Sequence, residues 1–140
     1  MDYDKHSFTE EEQKKIRQEF EIVSHKYPDR IPVIVKCKGK NLKLTRKKFL
    51  MMEDTSLGQM LYIIRRRLDK ALHPSVGIYI IINNKMLPPT QTLIEVYNSN
   101  KDEATGMLFV TLCQENTFGQ SQSQSQCFGH CFGHCFGYCV

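Results

Sequence analysis

The sequence predicts an α+β fold, a sheet with helices on one face, in the order helix and then β-β-α-β-β-α-β. Three observations predict it. A T-x-x-E signature at Thr9 opens a run whose apolar residues recur at helical spacing. The segment 31–37 is β-branched and apolar enough for a strand. A second helical stripe then separates two more apolar, strand-like runs.

The first helix begins where Thr9 can cap its own third amide while Glu12 reaches back, with acids in the first turn. Ile16, Phe20, Val23 and Tyr27 form its apolar stripe, and Pro28 stops it because the residue before proline disfavours helical angles. One short helix cannot stabilise itself, so the stripe must pack on something. "IPVIVKC" (31–37) is the first strand, "KGKN" supplies a turn, and "LKLTRKKFLM" (42–51) reads as the second strand of a hairpin. Asp54, Thr55 and Ser56 are cap candidates for the next helix, whose stripe is Leu57, Met60, Leu61, Ile64, Leu68 and Leu72. "IYIIINN" (78–84) is a near-continuous apolar run, which predicts a strand buried on both faces. A turn at Asn83-Asn84-Lys85 leads to a short "KML", then to a helix anchored by Leu93, Val96 and Tyr97. The last strand is "GMLFVTLCQE" (106–115).

The 140 residues suit one domain and one ordinary core. A net charge of +4 is mildly basic, a statement about partners rather than fold. The densest cluster, Arg65-Arg66-Arg67, lies in a helical pattern and reads as a solvated face, so no nucleic-acid partner is expected. No stretch is apolar enough to span a bilayer, and the polar, acidic N-terminus is unlike a leader, so the cytoplasm is the expected compartment. There Cys37 and Cys113 read as buried strand residues. No nucleophile has a recognisable base partner and no glycine loop is shaped to cradle phosphate, so the chain does not read as an enzyme. No cofactor and no metal are expected.

Five motifs carry a resemblance: "KYPDRIPVIV" (26–35), "KKFL" (47–50), "LGQMLYIIRRRL" (57–68), "NNKMLPPT" (83–90) and "TFG" (117–119). In this order and spacing they resemble the autophagy-related ubiquitin-like modifiers, the family of the GABA-receptor-associated protein and the microtubule-associated light chains. The resemblance implies a ubiquitin-like β-grasp domain at 28–119 behind an N-terminal helical extension at 1–27. It also implies a life cycle. A cysteine protease cleaves after a glycine preceded by an aromatic, here Phe118-Gly119, removing what begins at Gln120. Activating and conjugating enzymes of the ubiquitin-like type then join Gly119 to the amine of phosphatidylethanolamine. The expected locations are cytoplasmic before processing and autophagosomal or other vesicle membrane after it. Glycine suits this chemistry, since a terminus without a side chain threads narrow channels.

If the second strand is a sheet edge, it can accept an added peptide strand. The resemblance implies capture there of aromatic-x-x-aliphatic motifs from cargo receptors, often flanked by acids. One pocket would be lined by Glu19, Val23, Pro32, Lys48, Leu50 and Met107, the other by Phe49, Met51, Met60 and Ile63. Arg30, Arg46, Lys47 and Arg67 would meet the acidic flanks. Met107 and Met60 stand where relatives often carry phenylalanine. The bland reading of these residues is core and solvated face.

The chain ends in a low-complexity tail, 120–140, without a single Asp, Glu, Lys or Arg. In it Cys127, Cys131, Cys135 and Cys139 recur at C-x3-C intervals beside His130 and His134. The spacing falls within the zinc range, but the repeated glycines argue against a preformed site. The last four residues, "GYCV", lack the prenylation cysteine position. A removable propeptide is the simplest account. The alternative function is a soluble adaptor that keeps its tail, binds the same motifs, and touches acidic partners such as tubulin tails through a basic N-terminal helix.

Overall fold

A computed structural model describes residues 8–39 and 42–115. Helix α1 (Glu10–Lys26) starts as the sequence predicts. The Glu12 N–H donates to Thr9 Oγ1 at 3.1 Å, and the Thr9 N–H donates to Glu12 Oε1 at 3.0 Å. Strands β1 (Arg30–Lys38), β2 (Lys48–Met52), β3 (Ile78–Ile81) and β4 (Leu108–Gln114) form a sheet in the order β2-β1-β4-β3, with helices α2 (Leu57–Arg66) and α3 (Leu93–Asn100) between them in sequence. β1 and β4 run parallel, and the outer pairs are antiparallel. Ser56 is the cap chosen from three candidates for α2, bonding reciprocally with Gln59.

Alternation along the strands sorts the apolar residues onto two faces. Ile31, Val33, Val35 and Cys37 share a large core with Phe49, Met51, Leu108, Val110 and Leu112, covered by Leu57, Met60 and Ile64 of α2 and Leu93 and Val96 of α3. On the opposite face Ile34, Met107 and Phe109 pack against Ile16 of α1, with Phe8 and Phe20 at the margin. Helices therefore cover both faces, which corrects the expectation of one covered face. The α1 stripe finds its burial there. Tyr27, its last predicted member, is instead the exposed C-cap, its N–H donating to the Val23 carbonyl at 2.8 Å.

Four further expectations are revised. The second strand is shorter than 42–51, because the chain ahead of it is tied to the end of α2. The Thr45 N–H and hydroxyl each donate to Asp69 Oδ1 at 2.9 Å, and the Asp69 N–H donates to the Lys43 carbonyl at 2.8 Å. Leu42 and Leu44 still enter the core from outside the ladder. Helix α2 stops at Arg66, and Leu68 reaches the core from beyond it. The strand at 78–84 is no doubly buried strand: β3 is a sheet edge, half-exposed at each position. The "KML" segment forms only a bridge, Ile82 to Lys85, around Asn83 and Asn84 at φ of 51° and 65°.

Candidate functional site at the β2 edge

Strand β2 pairs with β1 alone and so lies at one edge of the sheet. Its register decides which groups point outward. The Val35 N–H donates to the Lys47 carbonyl at 2.8 Å, so the odd-numbered residues of β1 bond across to β2. Phe49 and Met51 therefore turn their backbone groups toward β1, while Leu50 turns its own out of the edge. Pro32, opposite Leu50, sits at a non-bonded position of the β1–β2 pair and costs that pair no hydrogen bond.

The side chains named from the sequence separate onto the two faces. Pro32, Lys48, Leu50 and Met107 lie on the α1 face with Glu19 and Val23, which are one turn apart on that helix. Phe49, Met51 and Met60 lie in the core under α2, with Ile63 partly buried against them. The α1-side set is closed in this structure: Lys48 and Leu50 are each 2% exposed and Met107 0%. The Lys48 ammonium sits 2.9 and 3.1 Å from the two Glu19 carboxylate oxygens, an ion pair across the gap between α1 and β2. On the α2 side a cleft of about 460 Å³ stands open, lined by Tyr62, Ile63, Arg66 and Arg67.

Among the cations, Arg46 and Arg67 are exposed, and Arg30 and Lys47 half-buried. The arginine triplet is not one uniform solvated face. Arg65 donates from Nη1 to the Val76 carbonyl at 2.9 Å and from Nη2 to the His73 carbonyl at 3.0 Å, bracing the loop after α2. Arg66 lies 5.6 Å from the Tyr62 ring centroid, and its Nη1 donates to the Tyr62 hydroxyl at 3.1 Å. Tyr62 and Arg66 were absent from the sequence-derived set. Their i,i+4 aromatic–cation spacing off the apolar stripe was the available signal.

Helix α1 is not basic as the adaptor reading assumed. Glu10, Glu11, Glu12, Glu19 and Glu21 outnumber Lys14, Lys15, Arg17 and Lys26, and Arg17 already contacts Glu21 and the Glu103 carbonyl. Phe118, Gly119, Gln120 and the cysteines of the tail lie outside the described residues. Among the described residues no cluster of three or more His, Cys, Asp or Glu could hold a metal ion, and no helix is long and apolar enough to cross a membrane.

A mixed sheet with its first and last strands parallel at the centre, α2 packed across it and a helix added at the N-terminus, defines a ubiquitin-like domain with a helical extension. The family model described as "Autophagy protein Atg8 ubiquitin like" matches residues 14–119, and the chain belongs to that family. It is 43% identical over 102 residues to autophagy-related protein 8e of Arabidopsis thaliana, covering 71% of this chain and 80% of the relative. It is 38% identical over 121 residues to autophagy-related protein 8 of Gibberella zeae, covering 84% and 95%. The crystal structure of Trypanosoma brucei ATG8 superposes with a TM-score of 0.67 at 28% identity, over 85% of this chain and 100% of that one.

Proposed function

We propose that this chain is a lipid-conjugated modifier of autophagic membranes that recruits cargo receptors through the β2 edge. The observation that carries the first half is that the family match ends at Gly119, the residue after Phe118. A protease thiolate attacks the Gly119 carbonyl, the amine of Gln120 leaves, and water releases the Gly119 carboxylate. That carboxylate attacks the α-phosphorus of ATP, and pyrophosphate leaves to give an acyl adenylate. An enzyme thiol displaces AMP to give a thioester, and the amine of phosphatidylethanolamine displaces the thiol to leave an amide. In this chemistry the chain is a substrate of enzymes rather than an enzyme, and it needs no bound cofactor. Two acyl chains, each buried methylene contributing about 0.8 kcal/mol, give the stable anchoring that one short chain would not. The protein would be cytoplasmic when unprocessed and bound to autophagosomes or other vesicles when lipidated.

The β2 edge supports the second half. Positions three apart on an extended peptide point to opposite sides. The aromatic and aliphatic anchors of an aromatic-x-x-aliphatic motif would then fall on the α1 side and the α2 side of the edge, where the two residue sets lie. Intact mass of the protein from membrane and soluble fractions of its own cells tests the reading. A membrane form ending at Gly119 and carrying phosphatidylethanolamine is the expected result. A chain ending at Val140 in every fraction, starvation included, would overturn it in favour of an unprocessed adaptor.

A further inference from the structure

Resting on the peptide-edge reading above, we infer that the chain's own tail, residues 127–140, is a ligand of the β2 edge and occupies it until cleavage after Gly119 carries the tail away. The carrying observation is a spacing. Three consecutive units of the tail place a thiol three positions after a phenyl ring: Phe128 and Cys131, Phe132 and Cys135, Phe136 and Cys139. On an extended chain, residues three apart point to opposite sides. A reduced cysteine packs as a small apolar side chain. Each unit therefore offers a ring to one side of an edge strand and a small apolar group to the other. The β2 edge has an apolar set on each of its two sides, and on the α2 side an open cleft of about 460 Å³ beside Ile63. Leu50 turns its backbone groups outward, where a docked strand would pair with them. Residues 120–140 contain no Asp, Glu, Lys or Arg, so seating them against apolar groups strips no charge of its water.

The tail is long enough to reach. Cys113 pairs with Lys38 and Lys48 with Ile34, so Gln114, where β4 ends, lies five residues along the strands from the level of Lys48. That is about 17 Å along the strands, and crossing from β4 to a strand beyond β2 adds about 14 Å, for a gap of about 22 Å. The twelve residues 116–127 extend to about 40 Å, nearly twice the gap. A ligand tethered by a linker that spans its gap is present at an effective concentration on the order of 1 mM. Three units in one tail also give three ways to dock. A tail–edge contact with a Kd of about 0.1 mM then keeps the edge roughly nine-tenths occupied and weakens an outside peptide about tenfold. Cleavage after Gly119 ends the tether. One cut would therefore expose the glycine and open the edge together, and receptors would engage processed chains in preference to unprocessed ones.

A synthetic peptide with the core Trp-Gly-Ser-Leu tests this, titrated by calorimetry into the full chain and into its Phe128→Ser/Phe132→Ser/Phe136→Ser variant. Reductant and chelator keep the tail thiols and imidazoles free of disulfides and metal. The variant is expected to bind about tenfold more tightly than the wild type, and amide exchange at Leu50 to be faster in the variant. Equal affinities would overturn the inference and leave the edge reading standing. Failure of both folded proteins to bind would remove the edge reading, and the inference with it. Faster exchange in β3 rather than in β2 of the variant would overturn it by seating the tail on the opposite edge of the sheet. A wild type that sediments as a dimer, with inhibition that grows with protein concentration, would overturn the intrachain seat in favour of a second copy.

Discussion

The ion pair between α1 and β2 makes an asymmetric prediction. Lys48 is 2% exposed, whereas the Glu19 side chain keeps 15% of its surface in contact with solvent. At 2.9 Å the gross attraction is about 6 kcal/mol for an effective dielectric of about 20. Most of it offsets the several kcal/mol lost when the ammonium leaves water, so the net contribution of the pair is small. Removing one partner is a different perturbation. Glu19→Gln takes from the buried ammonium the carboxylate it faces at 2.9 and 3.1 Å and should cost about 3 kcal/mol. Lys48→Met leaves only a carboxylate that already reaches water, and fills the site with apolar atoms. It should cost less than about 1 kcal/mol. The double variant should return close to Lys48→Met, a coupling of about 2 kcal/mol or more. Urea unfolding of the four proteins, with unchanged slopes, measures the cycle. Equal losses in the two single variants, or a coupling under about 0.5 kcal/mol, would refute the reasoning that burial of the lysine sets the asymmetry.

Gly106→Ala should destabilise the domain by about 2 kcal/mol, since φ there is +82° and a Cβ would lie 2.6 Å from the Phe20 ring. Because that ring belongs to α1, hydrogen exchange should accelerate in α1 more than in β4. Alkaline pH should also weaken the fold. Burial raises the Cys113 thiol, with Lys38 and Lys36 and the Tyr79 hydrogen bond opposing. Burial likewise raises the Tyr97 hydroxyl, with Arg17 opposing and Glu103 adding. Groups raised in the folded state contribute stability fully below their unfolded values, and that contribution is lost as pH climbs through the folded ones. Urea midpoints should therefore fall from about pH 8.5 upward. Cys113→Ala should flatten the first part of that fall, and an unchanged slope would exclude the thiol as its source.

What the sequence made legible was local. Reciprocal caps at Thr9–Glu12 and Ser56–Gln59 span three residues, so their partners are fixed by chain geometry alone. The two residue sets lie on opposite faces of the sheet because strand alternation is equally local. Strand order is not local. The run at 78–84 is apolar enough for a central strand, yet β4 takes the centre and β3 the edge. Nor did periodicity show that a carboxylate at Asp69 would divert residues 43–45 from the ladder. The Tyr62–Arg66 pair went unnamed because an exposed i,i+4 contact resembles any solvated helix face until a cleft is seen beside it.

The position of β4 bears on when this protein can fold. The last strand among the described residues is the one to which both β1 and β3 must pair. Until residues 108–114 have left the ribosome, the chain can hold only the β1–β2 hairpin, the isolated β3 and helices with no sheet to cover. The interior then completes late and from contacts distant in sequence, which favours slow closure over stepwise growth. Growing chains of this protein therefore carry their exposed apolar strands until β4 has emerged, the interval in which a chaperone would matter most.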